Sequence, residues 1–124
     1  MRLLLDTTVL IDILRESTTA IGFVNSLAFK PYISAMTVAE LYAGVREGRE
    51  RLQLERLRFA FEIVAIDDQI AQDAGMLRKR FGKFHGTGLT DAIIAASTLT
   101  VRARLVTHNA KHFPMFDDLI VPYP

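Results

Sequence analysis

The sequence predicts a three-layer α/β/α sandwich on a mainly parallel sheet of four or five strands, formed as one domain over residues 1–124. Three observations carry this expectation. Short apolar runs alternate with longer stretches whose apolar residues fall at helical spacing. Half of the residues are hydrophobic, enough to cover a sheet on both faces. Four segments place an oxygen-bearing polar residue where an apolar run ends or a helix should begin. These are Leu3-Leu4-Leu5-Asp6, Thr37-Val38-Ala39-Glu40, Leu89-Thr90-Asp91-Ala92 and Leu105-Val106-Thr107-His108-Asn109.

Arg2–Leu5 is apolar, short and bounded by Asp6, so it reads as a buried strand. Thr8–Leu14 carries Val9, Leu10, Ile13 and Leu14 at helical spacing, and a second helical stretch, Thr18–Phe29, stops at Lys30-Pro31. Tyr32–Ala35 is the second strand. Thr37 opens a helix running to about Arg46, and Gly48 separates it from a charged helix over Glu50–Phe61. Glu62–Ile66 is the third strand. Asp67 or Asp68 caps a helix reaching Arg80, and the glycines at 82, 86 and 88 make Phe81–Leu89 a loop. Asp91–Ala103 is apolar on nearly every side and should be the central buried helix. Arg104–Thr107 is a fourth strand, and Leu119–Val121 is the candidate fifth.

Cysteine is absent, which excludes disulfides, thiolate metal sites and thiol catalysis and suits a reducing cytoplasm. The charge at Asp6 comes too early for a signal peptide, and no apolar run approaches a membrane span. The net charge is +1, yet without Asp6, Glu40 and Asp91 it is 15 basic residues against 11 acidic ones. Eleven of the basic residues are Arg, which suits bidentate phosphate contacts.

In open parallel sheets ligands bind beyond the carboxyl ends of the strands. Asp6 and Asn109 follow strands, and Glu40 and Asp91 lie in the first turns of helices that should start at that edge. Two bare carboxylates about 4–5 Å apart repel by about 4 kcal/mol at an effective dielectric of about 20. A helix N-terminus offsets only about 0.3–1 kcal/mol. A divalent cation offsets far more, and oxygen ligands without sulfur favour Mg²⁺ or Mn²⁺. Simpler readings stand beside this one. Thr37-x-x-Glu40 fits a capping box, Asp6 fits a cap of the first helix, and Asp91 fits a first-turn acid.

The segments Leu5-Asp6-Thr7-Thr8-Val9-Leu10-Ile11-Asp12, Thr37-Val38-Ala39-Glu40-Leu41-Tyr42-Ala43-Gly44, Thr90-Asp91-Ala92-Ile93-Ile94-Ala95-Ala96 and Val106-Thr107-His108-Asn109-Ala110-Lys111-His112-Phe113 occur in order across almost the whole chain. Asp6 and Glu40 are 34 residues apart, and Glu40 and Asp91 are 51 apart. In this the chain resembles the PIN-domain nucleases, and most closely the VapC-like toxins of type II toxin–antitoxin pairs. The resemblance implies a Mg²⁺- or Mn²⁺-dependent endoribonuclease that cuts RNA, forms a homodimer and is inhibited by a small antitoxin. It assigns Asp6, Glu40 and Asp91 as metal-binding acids. Asn109 stands where a fourth acid is frequent, so one protein-held metal is the expectation.

Thr7 and Thr107 are candidates to position carboxylates or water, with helix capping and strand-end packing as the alternatives. His108 and His112 flank Asn109 and read as structural or RNA-contact residues; Asp12 reads as helix surface. Arg78-Lys79-Arg80 with Lys83 has no acid beside it and is a phosphate-contact candidate, while Tyr42, Phe81 and Phe84 are candidate base-stacking residues. The competing function is a catalytically silent PIN-like module acting through its partner or RNA. An aspartyl phosphatase or receiver domain fits poorly, because Asp6-Thr7-Thr8 lacks the second Asp and no Lys follows Leu119–Val121.

Overall fold

The computed structural model describes residues 1–124. The first strand, β1 (Leu3–Leu5), is followed by α1 (Thr7–Leu14) and α2 (Thr18–Asn25). After β2 (Tyr32–Ser34) come α3 (Ala35–Gly44), α4 (Arg49–Leu57) and a 3₁₀ turn at Arg58–Ala60. The third strand, β3 (Glu62–Val64), leads into α5 (Asp68–His85) and α6 (Leu89–Thr100), and β4 (Arg104–Val106) precedes a 3₁₀ turn at Ala110–His112. The four strands are all parallel, in the order β3-β2-β1-β4.

The pleat sends neighbouring strand residues to opposite faces, and this builds two cores. Leu4, Val64 and Leu105 meet Ile70 and Ala74 of α5, Ala92 to Ala96 of α6, and Phe113. Leu5, Ile33 and Val106 meet Val9 and Leu10 of α1, Leu41 of α3 and Leu54 of α4. The sheet is therefore covered on both faces, as the apolar composition requires. Helix α6 buries six residues, more than any other helix. Its burial is not all-round, because Leu89 is 56% and Leu99 53% exposed.

Several boundaries differ from the sequence reading. Helix α5 continues five residues beyond Arg80 to His85, so the loop is only Gly86–Gly88. Gly82 does not break it, since an interior glycine costs a helix only about 1 kcal/mol; the Arg78 guanidinium lies over it. The stop comes at Gly86, which takes the left-handed conformation (φ 69°) that closes helices. Helix α3 begins at Ala35 because Ser34, not Thr37, caps it: the Ser34 hydroxyl accepts from the Met36 N–H at 3.0 Å. Helix α2 ends at Asn25 with Ser26 as its cap, short of Phe29. The fifth strand is reduced to a single parallel bridge between Val106 and Ile120.

Packing on α6 and the exposure of the 3₁₀ turn give a direct test. Ile94 is 1% exposed, and Ile94→Ala is expected to cost about 2–5 kcal/mol through lost burial and a residual cavity. Phe59 is 82% exposed, and Phe59→Ala should stay within about 0.5 kcal/mol of wild type. Urea midpoints of the two variants measure the difference.

Candidate active site

Strand register brings the first site residues together. Leu5 pairs with Val106, so the next residues, Asp6 and Thr107, emerge side by side at the carboxyl edge of the sheet. The Asp6 N–H donates to the Val106 carbonyl at 2.9 Å, which fixes its backbone at the end of the ladder. Asp6 is only 4% exposed. Its Oδ1 accepts from the Thr7 N–H at 2.8 Å and its Oδ2 from the Thr107 hydroxyl at 2.7 Å. Thr107 Oγ1 in turn accepts from the Asn109 N–H at 3.0 Å. Asp6 is thus the cap of α1, as the simpler reading held, and also a buried carboxylate.

Thr7 links this carboxylate to the next. Its hydroxyl donates to Glu40 Oε1 at 2.7 Å, so its own oxygen is left to accept from Thr37 Oγ1 at 2.9 Å. Thr37 and Glu40 lie three residues apart on α3 and share the helix face that meets α1. The capping-box reading of Thr37 and Glu40 is corrected here. Both residues lie inside the helix, and their side chains make contacts across to α1.

Asp91 arrives from the other face of the sheet. It stands in the first turn of α6, where the Gly88 N–H approaches its Oδ2 at a long 3.4 Å. His112 Nδ1 also lies 3.4 Å from Oδ2. The Thr87 hydroxyl donates to the His112 carbonyl at 2.7 Å and holds the 3₁₀ turn against the α5–α6 loop. The sequence reading did not connect His112 with Asp91. Its signal was present in the Lys111-His112-Phe113 run, where Phe113 is fully buried and so fixes the turn that carries the histidine.

The carboxyl of Asp6 is held above its ordinary value of 3.8. Burial is the main cause; the Thr107 hydroxyl and the Thr7 N–H pull the other way, and the Asp91 and Glu40 charges raise it further. The three acids therefore lie within electrostatic reach of one another. No group of three His, Asp or Glu side chains is close enough to ligate one ion directly. Of the other acids, Asp67 caps α5 through the Ile70 N–H at 2.8 Å. Asp12, expected on the helix surface, accepts from the Tyr123 hydroxyl at 2.6 Å. His108 packs edge-on against Tyr123 with ring centres 4.7 Å apart.

The PIN domain profile matches residues 3–118 of the chain. Ribonuclease VapC19 of Mycobacterium tuberculosis is 38% identical over 124 residues, spanning 97% of this chain and 98% of that protein. Among solved structures, a toxin–antitoxin complex from Klebsiella pneumoniae superposes with a TM-score of 0.78 at 29% identity over 97% of each chain. FitAcB from Neisseria gonorrhoeae gives 0.77 at 26% identity, again over 97% of each. Similarity along nearly the whole length, in sequence and in fold, makes this chain a member of the PIN domain family and, within it, of the VapC ribonucleases.

Proposed function

We propose that this chain is a Mg²⁺- or Mn²⁺-dependent endoribonuclease, the toxin of a toxin–antitoxin pair acting on RNA in the cytoplasm. The observation that carries the proposal is the Asp6 carboxylate, buried at the sheet edge with Glu40 and Asp91 adding like charge to it. A scaffold does not gain from two further acids around one buried carboxylate unless a cation is bound there. The donor set fits the ion. Mg²⁺ takes one or two carboxylates and keeps several waters, so it does not need three acids in direct contact. Asp6, Asp91 and Glu40 would hold it, and when bound it would supply Lewis-acid polarisation of the scissile phosphate and easier deprotonation of water.

The surrounding residues then have distinct roles. Thr107 holds one Asp6 oxygen and ties it to the Asn109 backbone. Thr7 fixes the other Asp6 oxygen with its N–H and Glu40 with its hydroxyl. The Asn109 amide offers a neutral oxygen and donor beside the site, suited to orienting water or a phosphate oxygen but adding no charge. Retention of all three acids argues against a silent binding module. The same acids explain an antitoxin's action: an Arg or Lys inserted among them supplies the positive charge that the metal otherwise brings. The PIN-like domain, over residues 1–124, also associates with a second copy of itself.

Asp6→Asn, Glu40→Gln and Asp91→Asn are each expected to reduce RNA cleavage to background, as is excess EDTA on the wild type. Full activity in EDTA, or in Asp91→Asn, sinks the proposal. Thr107→Val removes the donor to Asp6 and should lower activity by about 10–100-fold, as losses of supporting contacts around metal sites do.

Stability should change with pH in a direction set by Asp6. Its folded pKa lies above 3.8, so as pH rises past that value the unfolded chain releases the proton first and the folded state loses stability. In metal-free buffer at neutral pH, Asp6→Asn should therefore melt higher than wild type. The gain should disappear below pH 3.8, where the carboxyl is protonated in both states. Added Mg²⁺ or Mn²⁺ should raise the melting temperature of the wild type and not of the variant.

A further inference from the structure

Three phenylalanines stand out into solvent: Phe29 is 68%, Phe59 82% and Phe84 81% exposed. Phe29 and Phe59 each lie three residues before a strand, β2 and β3, and so at the amino edge of the sheet, away from the site. Phe84 is placed differently. It lies in the last turn of α5, and α6, with Asp91 in its first turn, begins five residues later. The tip between the two helices is held at the site. A Cβ at Gly86 would touch the His112 ring, the Thr87 hydroxyl donates to the His112 carbonyl at 2.7 Å, and His112 Nδ1 is 3.4 Å from Asp91 Oδ2.

Helical spacing shows that Phe84 is the overrun of a core stripe. Ile70, Ala74, Leu77, Phe81 and Phe84 fall on one face of α5, the face that packs on the core. Ile70 and Ala74 are buried, Leu77 and Phe81 partly so, and the stripe then runs past the end of the core into water. The other two candidate stacking rings are already covered. Tyr42 has the Arg51 and Arg58 guanidiniums 5.4 and 5.6 Å from its centre, and Phe81 has Arg80 at 5.0 Å and His85 edge-on at 5.9 Å. Phe84 has the Lys83 ammonium at 5.5 Å and is otherwise open.

Charge singles out the same place. Residues 74–90 contain no acid and carry Arg78, Lys79, Arg80 and Lys83, whereas the longer acid-free stretches 17–39 and 92–116 carry one and three such bases. An open aromatic ring within a cluster of cations offers a single-stranded nucleic acid a π-face for a base and partners for the adjoining phosphates. We infer that Phe84 and Lys83 form the RNA-docking element of this chain: an unpaired base stacks on the Phe84 ring and Lys83 holds the neighbouring phosphate, which sets the strand beside Asp91. This rests on the nuclease reading and deepens it by naming how the substrate is held. Bases within a duplex are stacked on one another and offer no free face, so the element selects unpaired RNA. Phe84 positions the substrate and takes no part in breaking the bond.

The chain has no tryptophan, so Phe84→Trp keeps a stacking ring and adds a fluorophore at that position alone. Wild type, Phe84→Ala, Phe84→Trp, Lys83→Ala and an equally exposed control, Phe59→Ala, are titrated in EDTA with fluorescein-labelled oligouridylate and with a blunt RNA duplex of the same length. Phe84→Ala is expected to bind the oligouridylate about 5–150-fold more weakly, with its affinity for the duplex unchanged. Phe84→Trp should bind as wild type does, its indole fluorescence quenched by unlabelled oligouridylate and not by the duplex. Lys83→Ala should lower the slope of log affinity against log salt by about 0.7, and Phe59→Ala should match wild type. A Phe84→Ala variant that binds like wild type, an equal loss in Phe59→Ala, an unquenched indole or an unchanged salt slope overturns the inference. So does a wild type that prefers the duplex or binds neither RNA. Loss of antitoxin binding in Phe84→Ala with RNA affinity intact also overturns it and assigns the ring to the antitoxin. Cleavage with Mg²⁺ is followed separately: the expected binding without cleavage counts against the nuclease chemistry alone, and cleavage by Phe84→Ala at the wild-type KM counts against this element alone.

Discussion

A carboxylate with almost no access to solvent sits at the end of an interior strand, and the site is organised around that constraint. Asp6 continues β1 beyond its last ladder residue and is anchored there by its own N–H to Val106. Burial disfavours its charge, and two further acids disfavour it again. What keeps the anion tolerable within the chain is hydrogen bonding from Thr7 and Thr107, both of them buried. Each contact is available only because the strand ends where it does. One residue fewer in β1 would turn the carboxylate to the opposite face of the sheet.

The two threonines spread this constraint through the fold. Thr7 touches Asp6 with its backbone and Glu40 with its hydroxyl, and so couples the start of α1 to α3. Thr107 couples Asp6 to the Asn109 turn, and thereby β1 to the segment after β4. Asp91 has no such tie to the other acids. It is held by its own helix start and by His112, and it reaches Asp6 only through its field. The site therefore has a hydrogen-bonded half on one face of the sheet and a separately supported acid on the other.

The outer surface follows a different logic. Around α4, Arg46 and Arg51 are matched with glutamates one turn away and Arg49 with Glu16 of the segment after α1. Along α5 the carboxylates of Asp68 and Asp73 accept from Gln72 and Gln69 one turn away, beside exposed Met76. Because only the loop Gly86–Gly88 separates α5 from α6, that face and Asp91 belong to one hairpin.

Much of this was legible in the sequence because its signals are local. Apolar runs of three to five residues gave the parallel strands, and the uninterrupted small and branched residues of α6 gave the most buried helix. Asp6, Glu40, Asp91 and Asn109 stood out as oxygen donors at the ends of apolar runs, and the order of their motifs identified the family. Where helices began and ended was less legible, since a glycine stops a helix at Gly86, where it turns left-handed, and is carried within it at Gly82. The partners of each acid were not legible at all. That Thr37 serves Thr7 and not its own helix terminus, or that His112 approaches Asp91, depends on strand register and helix packing between residues far apart in the chain. Sequence by itself determined the elements and the chemistry they carry, because periodicity and residue type act over a few positions. Which side chains meet was decided only in the tertiary structure, because a hydrogen bond requires a distance that no spacing along the chain encodes.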